Sequence, residues 1–205
     1  MNYIEFRENF HPLACFSLDQ IYSAYPQFDR TKLTRWIRQG YIARLRQGYY
    51  TFPDYKSKRG FSLYFANRIY KPSYISLHTA LSFYGMIPEA VSQITSVTPL
   101  KTATFKNDFG DYSYKNIKDD LMFGYELKEM DEYRRLMFAT PEKALLDLLY
   151  LYPFYNSEKE MEQLRIDEYY LREDLNVEML MSYNGRFKSK ALDKRTRLLQ
   201  RVYNF

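Results

Sequence analysis

Between positions 30 and 46 the sequence sets out Arg30, Thr31, Lys32, Thr34, Arg35, Arg38, Arg44 and Arg46. Guanidinium and ammonium groups donate to phosphate oxygens, an arginine fork matches the O6 and N7 edge of guanine, and a threonine hydroxyl can contact either. Arg35 and Arg38 are three apart, so a helix here puts them on adjacent turns of one face. A second pattern is Glu126-Leu-Lys128, with Asp119 and Asp120 or Asp111 before it. Some nucleases hold magnesium and orient water with an acid followed by Glu-x-Lys, and strand alternation puts Glu126 and Lys128 on one face. In a chain that is 27% charged the same residues also make an ordinary solvated strand face. His78 has no serine, aspartate or cysteine at nucleophile spacing and reads as a satisfied partner at a helix start.

The rest of the composition narrows the chemistry. One cysteine, Cys15, and two histidines, His11 and His78, supply no Cys/His set for zinc and no internal disulfide. Seven scattered glycines form no phosphate-binding loop, and no cofactor is expected. The 22 Tyr and 15 Phe can stack on bases or fill a core, and core filling is the plainer use. No apolar run of eighteen residues, leader pattern or lipidation motif is present, which predicts a cytoplasmic chain with no membrane contact. Charge is informative once located. Residues 1–60 hold ten Lys/Arg against five Asp/Glu, while the remainder is balanced at twenty of each. From Arg30 to Arg59 nine basic residues face Asp54 alone. A neutral region joined to a basic module is the electrostatic footprint of phosphate binding.

Those basic residues need elements to present them. Tyr3, Phe6 and Phe10 recur at helical spacing over 2–10, before His11-Pro12. Ser17 caps a second helix, Leu18–Tyr25, stopped by Pro26. Asp29 caps a third, Arg30–Gln39, with Leu33, Trp36 and Ile37 inward and Gly40 as the left-handed residue past its end. The third helix thereby turns Thr31, Lys32, Thr34, Arg35 and Arg38 outward. A hairpin follows: Ile42 and Leu45 outbound, Arg46-Gln47-Gly48 as the turn, Tyr49 to Phe52 returning, with Arg44 and Arg46 beside the turn. Three helices and a hairpin in that order predict a winged helix-turn-helix with helix three in the major groove and the hairpin on the adjoining backbone. Pro53 to Gly60 reads as a linker.

Beyond it, helices are expected over Phe61–Tyr70 and, capped by Ser76, over His78–Tyr84 before Gly85. The period then shifts to two. Ile94–Thr98, Thr102–Lys106, Tyr112–Ile117, Leu121–Lys128 and Arg135–Phe138 read as strands of a small antiparallel sheet, with a turn at Asn107–Gly110. Thr140-Pro141 opens a helix over Glu142–Leu151, and further helices are expected near Ser157–Arg165, Val177–Tyr183 and Ala191–Val202. No repeat or low-complexity segment interrupts them.

Three segments carry a family resemblance: Leu33–Tyr50 (LTRWIRQGYIARLRQGYY), Tyr74–Glu89 (YISLHTALSFYGMIPE) and Ala139–Leu149 (ATPEKALLDLL). In order and spacing they resemble the AbiEi-type antitoxins of type IV abortive-infection toxin-antitoxin operons, over about residues 15–150. That resemblance implies a DNA-binding domain that represses its own operon and a second domain that opposes a nucleotidyltransferase-like toxin, through a functional rather than a tight contact. The tail from about Leu151 resembles nothing comparable.

The sequence therefore predicts an α+β chain: a winged helix-turn-helix at 1–58, and a mixed domain at 61–205 with a small antiparallel sheet and several helices. The expected function is a non-enzymatic transcriptional autoregulator and antitoxin whose partner is the double-stranded DNA of its own operator. Arg30, Thr31, Lys32, Thr34, Arg35, Arg38, Arg44 and Arg46 are the expected contacts. Two alternatives stand beside it, a magnesium-dependent nuclease using Glu126 and a protein-binding adaptor without DNA contact.

Overall fold

The computed structural model describes every residue except Ala90 and is a mixed α+β fold with a small antiparallel sheet and a larger mixed one. In α1 (Tyr3–Phe10) the Asn2 side chain accepts from the Glu5 amide, and Phe6 and Phe10 turn inward. A 3-10 turn at His11–Leu13 follows, where Pro12 can sit without costing a hydrogen bond. β1 (Phe16–Ser17) leads into α2 (Leu18–Ala24) through a capping box: Ser17 Oγ accepts from the Gln20 amide, and the Ser17 amide donates to Gln20 Oε1. α3 (Thr31–Arg38) starts where Asp29 Oδ1 accepts from the Thr31 amide at 2.9 Å and its hydroxyl at 2.7 Å. It stops before Gly40, whose φ of +73° suits a residue without Cβ. β2 (Ala43–Arg46) and β3 (Tyr49–Thr51) form the expected hairpin, and β1 adds to it in the order β1-β3-β2. Leu33 and Trp36 are buried, with the Phe6 ring centred 4.9 Å from Trp36 and 5.6 Å from Phe16.

The second region contains α4 (Phe61–Ile69), β4 (Tyr74–Ile75), α5 (Leu77–Phe83), β5 (Gln93–Thr98), β6 (Ala103–Asn107), β7 (Gly110–Asn116), β8 (Tyr125–Asp131) and β9 (Arg134–Ala139). Its sheet is not the small antiparallel one the spacing predicts. Six strands run β6-β7-β5-β4-β9-β8, with β5 parallel to β7 and β4 parallel to β9. The two-residue β4 joins the halves and is too short to show any period in the sequence. The strand expected from Leu121 begins at Tyr125, because Asp119–Leu121 is a 3-10 turn and Gly124 turns the chain with φ +67°. α6 (Pro141–Leu151) packs on α5 and β9 and is covered by α8 (Val177–Arg186) and α9 (Lys190–Tyr203), with α7 (Glu158–Glu162) against α9 and a π-helical turn at Tyr170–Asp174 before α8. α7 is shorter than the expected Ser157–Arg165, since Arg165 takes φ +49°. Among the described residues no helix is long and apolar enough to cross a membrane.

Pro53–Gly60 is not a free linker. Pro53–Ser57 is a 3-10 helix, Tyr55 is buried against Phe61 with ring centroids 4.5 Å apart, and its hydroxyl donates to the His11 carbonyl at 2.6 Å. The two sheets meet through side chains that bond to backbone. Arg46 Nη1 donates to the Ile69 carbonyl at 2.6 Å, Asn107 Nδ2 to the Leu45 carbonyl at 2.8 Å, and Arg134 Nη2 to the Pro12 carbonyl.

Candidate nucleic-acid interface

An α3 that buries Leu33 and Trp36 leaves Thr31, Thr34, Arg35 and Arg38 exposed on its far side, with Arg30 exposed just before it. Thr31, Lys32, Thr34, Arg35 and Arg38 line a shallow recess of about 420 Å3 along the helix. Lys32 is partly buried, and its ammonium donates to the Met1 carbonyl at 3.0 Å, so part of its capacity is spent holding the N-terminus. Asp29 stands at the head of the recess. Hydrogen bonds from the Thr31 side chain and amide hold its carboxyl below the usual aspartate range.

Arg44 is exposed on β2, whereas Arg46 is built into the fold. Its guanidinium lies over the adjoining rings of Tyr70 and Phe105, 4.8 and 4.6 Å from their centroids, besides donating to Ile69. A site expected to be two arginines flanking the hairpin turn thus presents Arg44, while Arg46 anchors the hairpin to α4 and β6. A β-bulge between Arg44 and Arg46 turns the two side chains to different surroundings. Beside them a wide recess of about 1010 Å3 runs from Arg30, Arg44 and Gln47 to Thr104 and Lys106 of β6, with Asp108 at its edge. No ion pair among the described residues involves Arg30, Arg35, Arg38 or Arg44. These arginines face solvent outside any such ion pair, as a surface for a polyanion requires. Thr104 and Lys106 were outside the sequence expectation: they are distant in sequence and reach the recess because Asn107 ties the β6–β7 turn to β2.

The second constellation is buried. Lys143 and Asp147, one turn apart on α6, are both fully buried and paired. Asp147 Oδ2 accepts from the Tyr74 hydroxyl at 2.9 Å and from Ser76 Oγ at 2.8 Å, and Lys143 Nζ also donates to the Tyr74 oxygen at 2.9 Å. Burial pushes the Lys143 ammonium down and the Asp147 carboxyl up, and each is opposed by the other's charge. Ser76 therefore does not cap α5 as the sequence predicts, since its hydroxyl is taken by Asp147. The lysine is roofed by Phe123 and Phe187, 4.8 and 4.7 Å from its nitrogen, and Gly124 passes where a Cβ would come within 2.9 Å of Tyr183 and 3.1 Å of Lys143. Sealed and mutually bonded, these four side chains join β4 and α5 to α6 and offer no atom to a substrate. The C-terminal helices form part of the seal: Phe187 and Tyr183 come from there, and the Asn176 amide donates to the buried Glu142 at 3.1 Å.

The Glu-x-Lys pattern takes another form. Lys128 lies 2.7 Å from Glu126 on exposed β8 and leans over the Tyr84 ring. Asp111 on β7 pairs with Lys106 at 3.1 Å, and three strands separate β7 from β8. Among the described residues no three of His, Cys, Asp and Glu converge on a point that could hold a metal ion. His78 packs edge-on against Tyr152, centroids 5.6 Å apart, and burial lowers its pKa. No family model matches the chain, and no curated protein is significantly similar to it.

Proposed function

We propose that the chain is a sequence-specific DNA-binding regulator whose first sixty or so residues act as a winged helix-turn-helix. α3 is the recognition helix, entering the major groove with Thr31, Thr34, Arg35 and Arg38, while Arg44 on the β2–β3 hairpin reaches the flanking phosphates. The observation that carries this reading is the run of unpaired arginines along the exposed face of α3 and onto β2, continuous with the open recess beside the hairpin. An eight-residue helix is about 12 Å long, enough to span the width of a major groove.

The resemblance to AbiEi-type antitoxins adds autoregulation of the chain's own operon in the cytoplasm, and a second region that opposes a nucleotidyltransferase-like toxin. Two of the resembling segments, Tyr74–Glu89 and Ala139–Leu149, meet at the Lys143–Asp147 pair, which supports reading them as parts of one unit. A reporter driven by the DNA upstream of the gene tests the regulatory part. Expression of the chain represses it, and the Arg35→Ala/Arg38→Ala variant, folded to the same melting temperature, relieves repression. Equal repression by both proteins would remove α3 from the mechanism, and absence of repression by either would refute the reading.

A further inference from the structure

A cavity of about 550 Å3 opens between the end of α4, the turn that follows it and the β8–β9 hairpin. Its wall carries three cations, Arg68, Lys71 and Arg135, against one carboxylate, Glu132. Neither Arg68 nor Lys71 belongs to an ion pair among the described residues, and Arg135 reaches only the exposed Glu129, at 3.8 Å. Arg68 and Lys71 repel: after burial, the charge of Arg68 is the next cause that holds the Lys71 ammonium below its ordinary pKa. An anion between them relieves that repulsion. The remaining wall includes large apolar side chains left to water, Leu127 at 58% exposure and Tyr133 at 82%. Ser73, also on the wall, is 1% exposed with a hydroxyl that has no partner. A concave site of roughly 300–1,000 Å3 with apolar walls and a few convergent polar groups is the form in which proteins take small ligands.

The geometry points to a binding site for a nucleotide-sized phosphorylated small molecule, its phosphates held by Arg68, Lys71 and Arg135 and its ring laid against Tyr133 and Leu127, whose occupancy tunes the basic hairpin. Three cations against one carboxylate leave a surplus of two positive charges on the wall, which a diphosphate matches better than a single carboxylate does. The coupling rests on the DNA-binding reading and follows from four consecutive residues. Arg68 and Lys71 face the cavity, while between them the Ile69 carbonyl accepts from Arg46 and the Tyr70 ring stacks on its guanidinium. Any shift of this turn on ligand binding reaches β2 through one side chain.

Calorimetric titration of the full chain with ADP, GDP, CDP and UDP in turn, with pyrophosphate and adenosine as the two halves of a ligand, tests the site. At least one diphosphate binds tenfold or more tightly than either half. The Arg68→Ala/Lys71→Ala variant loses at least tenfold in affinity at an unchanged melting temperature. Failure of all four, or equal binding by the variant, overturns the site. The bound nucleotide is then added to the chain on its upstream DNA, where a tenfold or larger change in DNA affinity, absent in the variant, is expected. Unchanged DNA affinity overturns the coupling alone. A chain that binds nucleotide but no DNA leaves the site standing and refutes the regulatory function on which the coupling depends.

Discussion

Lys143 and Asp147 are tolerated in the core as a pair, and each alone is a liability. Breaking a buried pair leaves its partner charged and unpaired at a cost of about 3–5 kcal/mol, whereas replacing both with apolar groups of similar size is often neutral. Asp147→Ala is therefore expected to lower unfolding stability by about that amount in urea titrations, and Lys143→Met/Asp147→Leu to recover most of it. Equal losses in the single and double variants would mean that the four-residue network, rather than the uncompensated charge, sets the cost. Asp29 gives a pH-dependent case. Its carboxyl titrates lower in the folded chain than unfolded, so the stability it adds is complete above the unfolded value, about 3.9, and is lost as pH falls through the folded one. Thr31→Val removes the hydroxyl bond and should raise the Asp29 pKa, read from carboxyl NMR shifts. An unmoved value would contradict that bond. At this scale the exposed arginines were legible from helical spacing, and Trp36 from its place on the apolar stripe. Ser76 was not, because its position at a helix start conceals a partner 71 residues away.

Helices and hairpins near the N-terminus followed local rules and were legible almost to their ends. The Ser17 capping box and the stop at Gly40 are local, and so are the bonds of Thr31 to Asp29, although the N-cap of α3 is Arg30 rather than the expected Asp29. The second sheet was legible strand by strand but not in its pairing. Parallel partners are brought together by long connections and by a two-residue strand, and neither leaves a periodic trace in sequence. The same non-local pairing puts β6 beside β2 and gives the interface an element that spacing could not supply. In the proposed DNA complex Lys106, at 82% side-chain exposure, exchanges its partner Asp111 for a phosphate at little cost, since exposed pairs are worth about 0–1 kcal/mol. Lys106→Ala is expected to reduce the slope of log affinity against log salt by about 0.9, the value for one phosphate contact. An unchanged slope would confine the interface to α3 and the β2–β3 hairpin.

Across the whole molecule, the uneven charge was legible without any structure, because it requires only counting. How the basic region docks on the rest was not. Arg46, Asn107 and Arg134 make that contact by donating to backbone carbonyls, which every residue carries, so no partner residue type marks the joint. The segment read as a linker packs as a wedge around Tyr55 for the same reason: one buried aromatic decides its fate amid charged neighbours. What results is a basic region tied by these carbonyl bonds to a neutral body sealed by its C-terminal helices. The most direct test of its role is fluorescence anisotropy of the full chain on DNA from upstream of its gene and on a scrambled duplex, across a salt series, beside the Arg35→Ala/Arg38→Ala variant. Preference for the upstream DNA of roughly a thousandfold or more, lost in the variant, is the expected result. Equal, salt-sensitive binding to both duplexes, or none at low salt, would contradict a sequence-specific regulator.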